Sequence, residues 1–179
     1  FEKITVQDAL NHPIWKMGKK ISIDSSTLMN KSLEIIEASV LFGVDSSKID
    51  VVIHPQHVVH SMVEFKDGSV ISNLSTPDMK ASISYGLGFP GRLESGVEKL
   101  SFSDLSLNFF EPDRKKFPTL DFAKEALLLG GNFPLIFNSF NEVAVDLFLQ
   151  EKINYLDIFQ LISHAFDARD NIDINAKFD

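Results

Sequence analysis

Ser25, Ser26, Asn30, Lys31 and Glu34 gather in the stretch DSSTLMNKSLE, residues 24–34. Hydroxyl, amide and amine groups donate hydrogen bonds to phosphate oxygens. A carboxylate repels phosphate, and its natural partner is a hard divalent cation. The hydrophobic pattern predicts a helix over 26–42, capped by Ser25 or Ser26 and closed by Gly43. At 100° per residue, Ser26, Asn30, Glu34 and Glu37 fall within a sector of about 80°, with Lys31 on its flank. Leu28, Met29, Leu33, Ile35, Ile36 and Val40 take the opposite side. A solvated face on an amphipathic helix produces the same pattern. The placement at the helix start, where free N–H groups and the dipole attract anions, favours a ligand. The composite reading is a phosphorylated small molecule with its far end on a metal.

Just before this segment lies NHPIWKMGKK, with His12, Trp15, Met17 and Gly18 in a loop. Trp15 is the chain's one tryptophan. It serves either as an anchor pinning the loop to the core or as a lid that covers a ligand, with Gly18 as the hinge. His54, His57 and His60 recur at every third position. On a strand, His54 and His60 share a face and His57 opposes them, so joint zinc binding is disfavoured and structural roles are expected. Gly86–Gly91 matches G-x-G-x-x-G but leads into Pro90 and a linker rather than opening a helix, so a dinucleotide fingerprint is rejected. No G-x-S-x-G elbow supports a serine hydrolase.

These residues need elements to hold them. Residues 1–23 read as a short helical piece, the loop, and a short strand at KISI. VVIH (51–54) reads as a strand. HSMVEF and SVISNL read as a hairpin turned by Lys66-Asp67-Gly68. Residues 89–117, rich in proline and glycine, read as a linker. Beyond it, DFAKEALLLGG, PLIFNSFNEVAVDLFLQ and YLDIFQLISHAFDA read as amphipathic helices, with Pro134 in a first turn. The expected architecture is α+β: a catalytic domain over 1–88 with a small mixed sheet and helices, the linker, and an all-α bundle over 118–179.

Bulk properties narrow the function. The 179 residues are 44% hydrophobic and 23% charged, enough for a substantial core. The net charge of −8, from 17 basic and 25 acidic side chains, argues against nucleic-acid binding. An anionic ligand must therefore find a local cluster that overcomes the overall field. The absence of cysteine excludes disulfides, thiolate metal sites and a cysteine nucleophile. No apolar run approaches the ~20 residues of a membrane span, and no signal peptide is visible. The ends read as those of a piece of a longer protein.

The segments NHPIWKMGKKISIDSSTLMNKSLEIIEA, IHPQHVVHSMVEFKDGS, PDMK and NSFNEVAVDLFL, in that order, resemble the 1-deoxy-D-xylulose 5-phosphate reductoisomerases. The resemblance spans nearly the whole chain and is most specific from His12 to Glu37. It implies an NADPH- and divalent-metal-dependent (Mg²⁺ or Mn²⁺) enzyme that rearranges and reduces a ketose phosphate to 2-C-methyl-D-erythritol 4-phosphate in non-mevalonate isoprenoid synthesis. It implies a homodimer of the cytoplasm or a plastid-type organelle, with no nucleic-acid or membrane partner. The NADPH domain and an Asp-Ser-Glu segment with further metal carboxylates would lie outside this sequence, so this chain alone is expected to be inactive.

By position, the resemblance puts Ser25, Asn30 and Lys31 on the substrate phosphate and Glu34 on the metal. His12 would lie beside the substrate, and Trp15 and Met17 in a flap over it. Gly18 and Met79 would approach the nicotinamide, and His60 would lie near the active site. Glu34, Lys31 and His12 would carry the catalysis. Ser26, Ser32, His57 and the pair Ala81-Ser82 depart from the family's usual residues. Two other readings stay open: a metal-dependent phosphosugar aldolase or isomerase without redox chemistry, and a non-catalytic self-association domain.

Overall fold

The computed structural model describes residues 1–11 and 17–175. His12 and Trp15 lie outside them. In chain order the elements are α1 (Val6–Leu10), α2 (Lys19–Ser26), α3 (Met29–Phe42), β1 (Val59–Glu64), β2 (Val70–Leu74), α4 (Met79–Gly88), α5 (Thr119–Leu129), α6 (Phe133–Leu149) and α7 (Tyr155–Asp167). Short 3₁₀ turns cover Ser46–Lys48 and Arg169–Asn171. The class is α+β.

Packing divides the chain into two units. One joins Phe1–Val51 to Asp113–Asp179, and the other is Val52–Pro112. The proline and glycine distribution suggests cuts near 88 and 117 instead. The reason for the difference is that α2 and α3 bury their apolar faces against the C-terminal helices, which composition alone does not reveal.

In the first unit, local chemistry sets the helix ends. Thr5 and Asp8 form a capping box on α1, as do Asn154 and Asp157 on α7. Gly43 closes α3 at φ 60°, a conformation glycine adopts without penalty. Pro134 sits in the first turn of α6, where its missing N–H is harmless. The core is aromatic. Phe166 of α7 packs against Phe122, Phe133 and Phe137 at centroid distances of 4.9, 5.0 and 6.1 Å. Ile23, Met29 and Ile35 bring α2 and α3 into the same cluster.

Three expectations for this unit are corrected. KISI is helical, as part of α2: Ser22 Oγ donates to the Gly18 carbonyl, and Lys20 pairs with Asp24 one turn on. The alternating isoleucines that suggest a strand are Ile21, half-buried, and Ile23, fully buried. The helix expected over 26–42 is two helices, broken at Thr27–Leu28. Leu28 takes the left-handed conformation at φ 56°, so Ser25 and Ser26 close α2 instead of capping α3. Val40, placed with the apolar face by its spacing, is 69% exposed.

In the second unit, β1 and β2 form a two-stranded antiparallel hairpin, so the sheet is not mixed among the described residues. Gly68, at φ 82°, supplies the turn. VVIH makes only an isolated antiparallel bridge, between Ile53 and Phe110, in place of a strand. The glycine motif at 86–91 begins inside the end of α4, the reverse of the strand-then-helix order that a dinucleotide loop requires.

Candidate functional site

The break between α2 and α3 places the candidate residues on two sides of one corner. Ser25 belongs to the last turn of α2, and Asn30 and Lys31 to the first turn of α3. Glu34 follows one turn deeper. Asn30 Nδ2 donates to Glu34 Oε1 at 2.7 Å, and Lys31 Nζ donates to Oε2 at 2.7 Å. Each carboxylate oxygen thus holds one donor. Lys31 and Glu34 are both partly solvated, at 45% side-chain exposure, so a ligand can reach them. As a surface ion pair alone the contact is weak, about 0–1 kcal/mol. Its significance is geometric: it collects an amide, an amine and a carboxylate within one turn.

The backbone of the corner is tightly held. The Thr27 N–H and Oγ1 both donate to the Ile23 carbonyl, at 3.0 Å each. Ser32 is buried, and its Oγ donates back to the Leu28 carbonyl at 2.9 Å. Ser26 Oγ donates to the Ile23 carbonyl at 2.8 Å. Both hydroxyls thus donate to the local backbone.

Asp24, next to Ser25, is 1% exposed. It receives Lys20 Nζ at 2.7 Å and Asn141 Nδ2 at 3.0 Å. A buried carboxylate requires such partners. Asp24 is absent from the sequence-based candidates, and the available signal was Asn141, a polar residue inside an apolar helical run.

Met17 is half-buried and Gly18 precedes α2 as its N-cap. A Cβ at Gly18 would meet no atom within 4 Å, so the glycine faces open space. His60 and Met79 lie in the second unit. His60 sits where the β1–β2 register shifts between Val59 and Ser61. Such bulges re-aim side chains. Its Nε2 lies 3.0 Å from Ser75 Oγ and 3.2 Å from the Ser75 carbonyl, a contact that requires a proton on Nε2. Met79 opens α4 and is 63% exposed. His54 stacks on Phe109 at 4.8 Å, and its Nδ1 meets the Asn108 carbonyl at 2.9 Å, while its buried Nε2 has no hydrogen-bond partner among the described residues.

Among the described residues, no three His, Cys, Asp or Glu side chains gather to hold a metal. Glu34 fits a hard cation as one oxygen ligand and no more.

Family models for the DXP reductoisomerase C-terminal domain match residues 74–178, and for the 1-deoxy-D-xylulose 5-phosphate reductoisomerase C-terminal domain residues 1–42. The chain belongs to the 1-deoxy-D-xylulose 5-phosphate reductoisomerase family. The chain is 56% identical to the 1-deoxy-D-xylulose 5-phosphate reductoisomerase of Chloroherpeton thalassium, over 95% of its own length and 44% of the relative's. The Clostridium tetani enzyme is 54% identical over 92% of the chain and 43% of the relative. It therefore spans less than half of the curated relatives it matches. Among solved structures, a DOX-P reductoisomerase in complex with NADPH, fosmidomycin and magnesium superposes with TM-score 0.87 at 45% identity, covering 98% of this chain and 44% of that one. The Zymomonas mobilis enzyme in complex with NADPH gives TM-score 0.85 at 42% identity, covering 93% and 43%. Among the described residues no helix is long and apolar enough to cross a membrane.

Proposed function

We propose that this chain is the substrate-binding and C-terminal helical part of an NADPH-dependent 1-deoxy-D-xylulose 5-phosphate reductoisomerase. The reaction isomerises the ketose phosphate to a branched aldehyde, by carbon–carbon cleavage and re-formation or by direct migration. NADPH, when bound, would supply the hydride that, with a proton, reduces this aldehyde to 2-C-methyl-D-erythritol 4-phosphate. The observation that carries the reading is the Asn30–Glu34–Lys31 turn beside Ser25, in a chain of this family.

Ser25, Asn30 and Lys31 bind the phosphate. Its charge would draw Asn30 and Lys31 away from Glu34 and free that carboxylate to hold a divalent cation, Mg²⁺ or Mn²⁺. Substrate and cation thus favour each other's binding at this corner. When bound, such a cation polarises the substrate's carbonyl and hydroxyl oxygens. Phosphate binding energy, remote from the reacting carbons, positions them. His12 lies beside the substrate, and Trp15 and Met17 close over it to exclude water. Gly18 and Met79 face the nicotinamide, and His60 serves the active site. The last three assignments and those of the loop rest on the family resemblance. So do a homodimeric assembly and a cytoplasmic or plastid-type location.

The test is Glu34→Gln in the complete enzyme. The substitution should abolish NADPH oxidation with Mg²⁺ or Mn²⁺ and weaken cation binding measured directly by titration calorimetry. Unchanged turnover and cation affinity would remove Glu34 from the metal. This chain by itself should not oxidise NADPH on the ketose phosphate.

A further inference from the structure

The α2–α3 corner turns on one residue in a costly backbone conformation. Leu28 lies at φ 56°, a left-handed conformation that disfavours a residue bearing Cβ. Such residues persist where the surroundings over-determine them. Here the surroundings are the three C-terminal helices. Tyr155, at the start of α7, donates its hydroxyl to the Ser26 carbonyl at 2.7 Å, with Ser26 Oγ at 3.3 Å. Thr119, at the start of α5, donates Oγ1 to the Thr27 carbonyl at 3.0 Å. Asn141, in the middle of α6, donates Nδ2 to Asp24 Oδ1 at 3.0 Å.

The three donors come from three different helices and reach a single run, Asp24 to Thr27. Thr119 and Asn141 are fully buried and Tyr155 is 2% exposed. Apolar residues of the same shape would fill these places in the core without the desolvation cost of a hydroxyl or an amide. The polar groups instead specify where the corner sits.

We propose that Tyr155, Thr119 and Asn141 are positioning residues for substrate. They set the distance and orientation between Ser25, on α2, and the Asn30–Lys31–Glu34 turn of α3. The helical part of the chain is thus a template for the phosphate corner as well as a core. This inference rests on the phosphate reading of that corner.

The experiment measures initial rates of NADPH oxidation against 1-deoxy-D-xylulose 5-phosphate in the complete enzyme. Tyr155→Phe and Thr119→Val each remove one hydrogen bond and little volume. Each is expected to raise KM about three- to tenfold, with a smaller change in kcat. Thr119→Ser keeps the hydroxyl and should restore KM, so a general loss of folding is separated from a loss of the bond. Ile162→Val, a buried change on α7, lowers the melting temperature by a similar amount and should leave KM within about twofold. The proposal falls if the clamp variants leave KM unchanged, if Ile162→Val raises it equally, or if Thr119→Ser behaves like Thr119→Val. Lys31→Ala in the same assay separates the two claims. An unchanged KM for Lys31→Ala overturns the phosphate reading; a raised KM there with unchanged clamp variants overturns the clamp alone.

Discussion

Asn141 and Asp24 offer a stringent test of the buried contact between α6 and α2. Asn141→Leu keeps the number and branching of the side-chain heavy atoms and deletes the donor 3.0 Å from Asp24 Oδ1. A hydrogen bond to a charged acceptor is worth about 1.5–3 kcal/mol, and that is lost. The same change deletes Asn141 Oδ1, which is buried and has no hydrogen-bond partner among the described residues. Relief of an unpaired buried polar atom returns about 1–3 kcal/mol. The two contributions nearly cancel, so Asn141→Leu alone should change stability by about 1 kcal/mol or less. With Asp24→Leu already present, there is no hydrogen bond to lose. Lys20, partly solvated, no longer has the carboxylate, and the Asn141 amide is left without its acceptor. In that background Asn141→Leu should stabilise by about 1–3 kcal/mol. The difference between backgrounds is a coupling of about 2 kcal/mol, read from urea unfolding of the four proteins with m held to a common value. A coupling under about 0.5 kcal/mol would refute the argument, because that is the level at which independent sites add.

Two further outcomes are expected of the fold. Phe137→Ala removes a fully buried ring that packs on Phe166, and should cost about 3–5 kcal/mol in urea unfolding. Less than about 1.5 kcal/mol would mean that the aromatic cluster is not the core. Burial pushes the Tyr155 phenol above its ordinary value of 10.0, although the Ser26 contact opposes the shift. A folded-state value above the unfolded one means that the stabilisation is complete below pH ~10 and is lost as pH rises through the folded value. The stability advantage of the native chain over Tyr155→Phe should therefore shrink between pH 9 and pH 11, and a constant gap would contradict it.

Local chemistry accounts for what was legible. The Asp-Gly turn fixes the hairpin, because few residues other than glycine tolerate φ 82° at Gly68. Gly43 and Gly130, at φ 60° and 70°, close α3 and α5, and Pro134 opens α6. Each signal lies within a few residues of the structure that it produces. The donors and carboxylate of the corner were legible for the same reason, since Asn30, Lys31 and Glu34 meet at helical spacing.

What was not legible depends on partners distant in sequence. The alternation of Ile21 and Ile23 suits a strand, yet their segment is the α2 helix because its buried side meets α6 and the aromatic core. Val40 has the spacing of a core residue, but the structure leaves the last turn of α3 exposed, so it faces outward. VVIH has the composition of a strand but finds only one bridge partner, Phe110.

The sequence by itself determined the inventory of the corner and the local stops and turns, because capping, positive φ and i to i+4 spacing are short-range. Only the tertiary structure decided that the chain bends at Leu28, that Ser25 stands on a separate helix from Asn30, and that Asp24 is buried. The hydrogen bonds that reach this run from other helices come from Thr119, Asn141 and Tyr155, which lie 92, 117 and 129 residues from their acceptors. No local pattern records a contact at that separation; it exists only once the helices have packed.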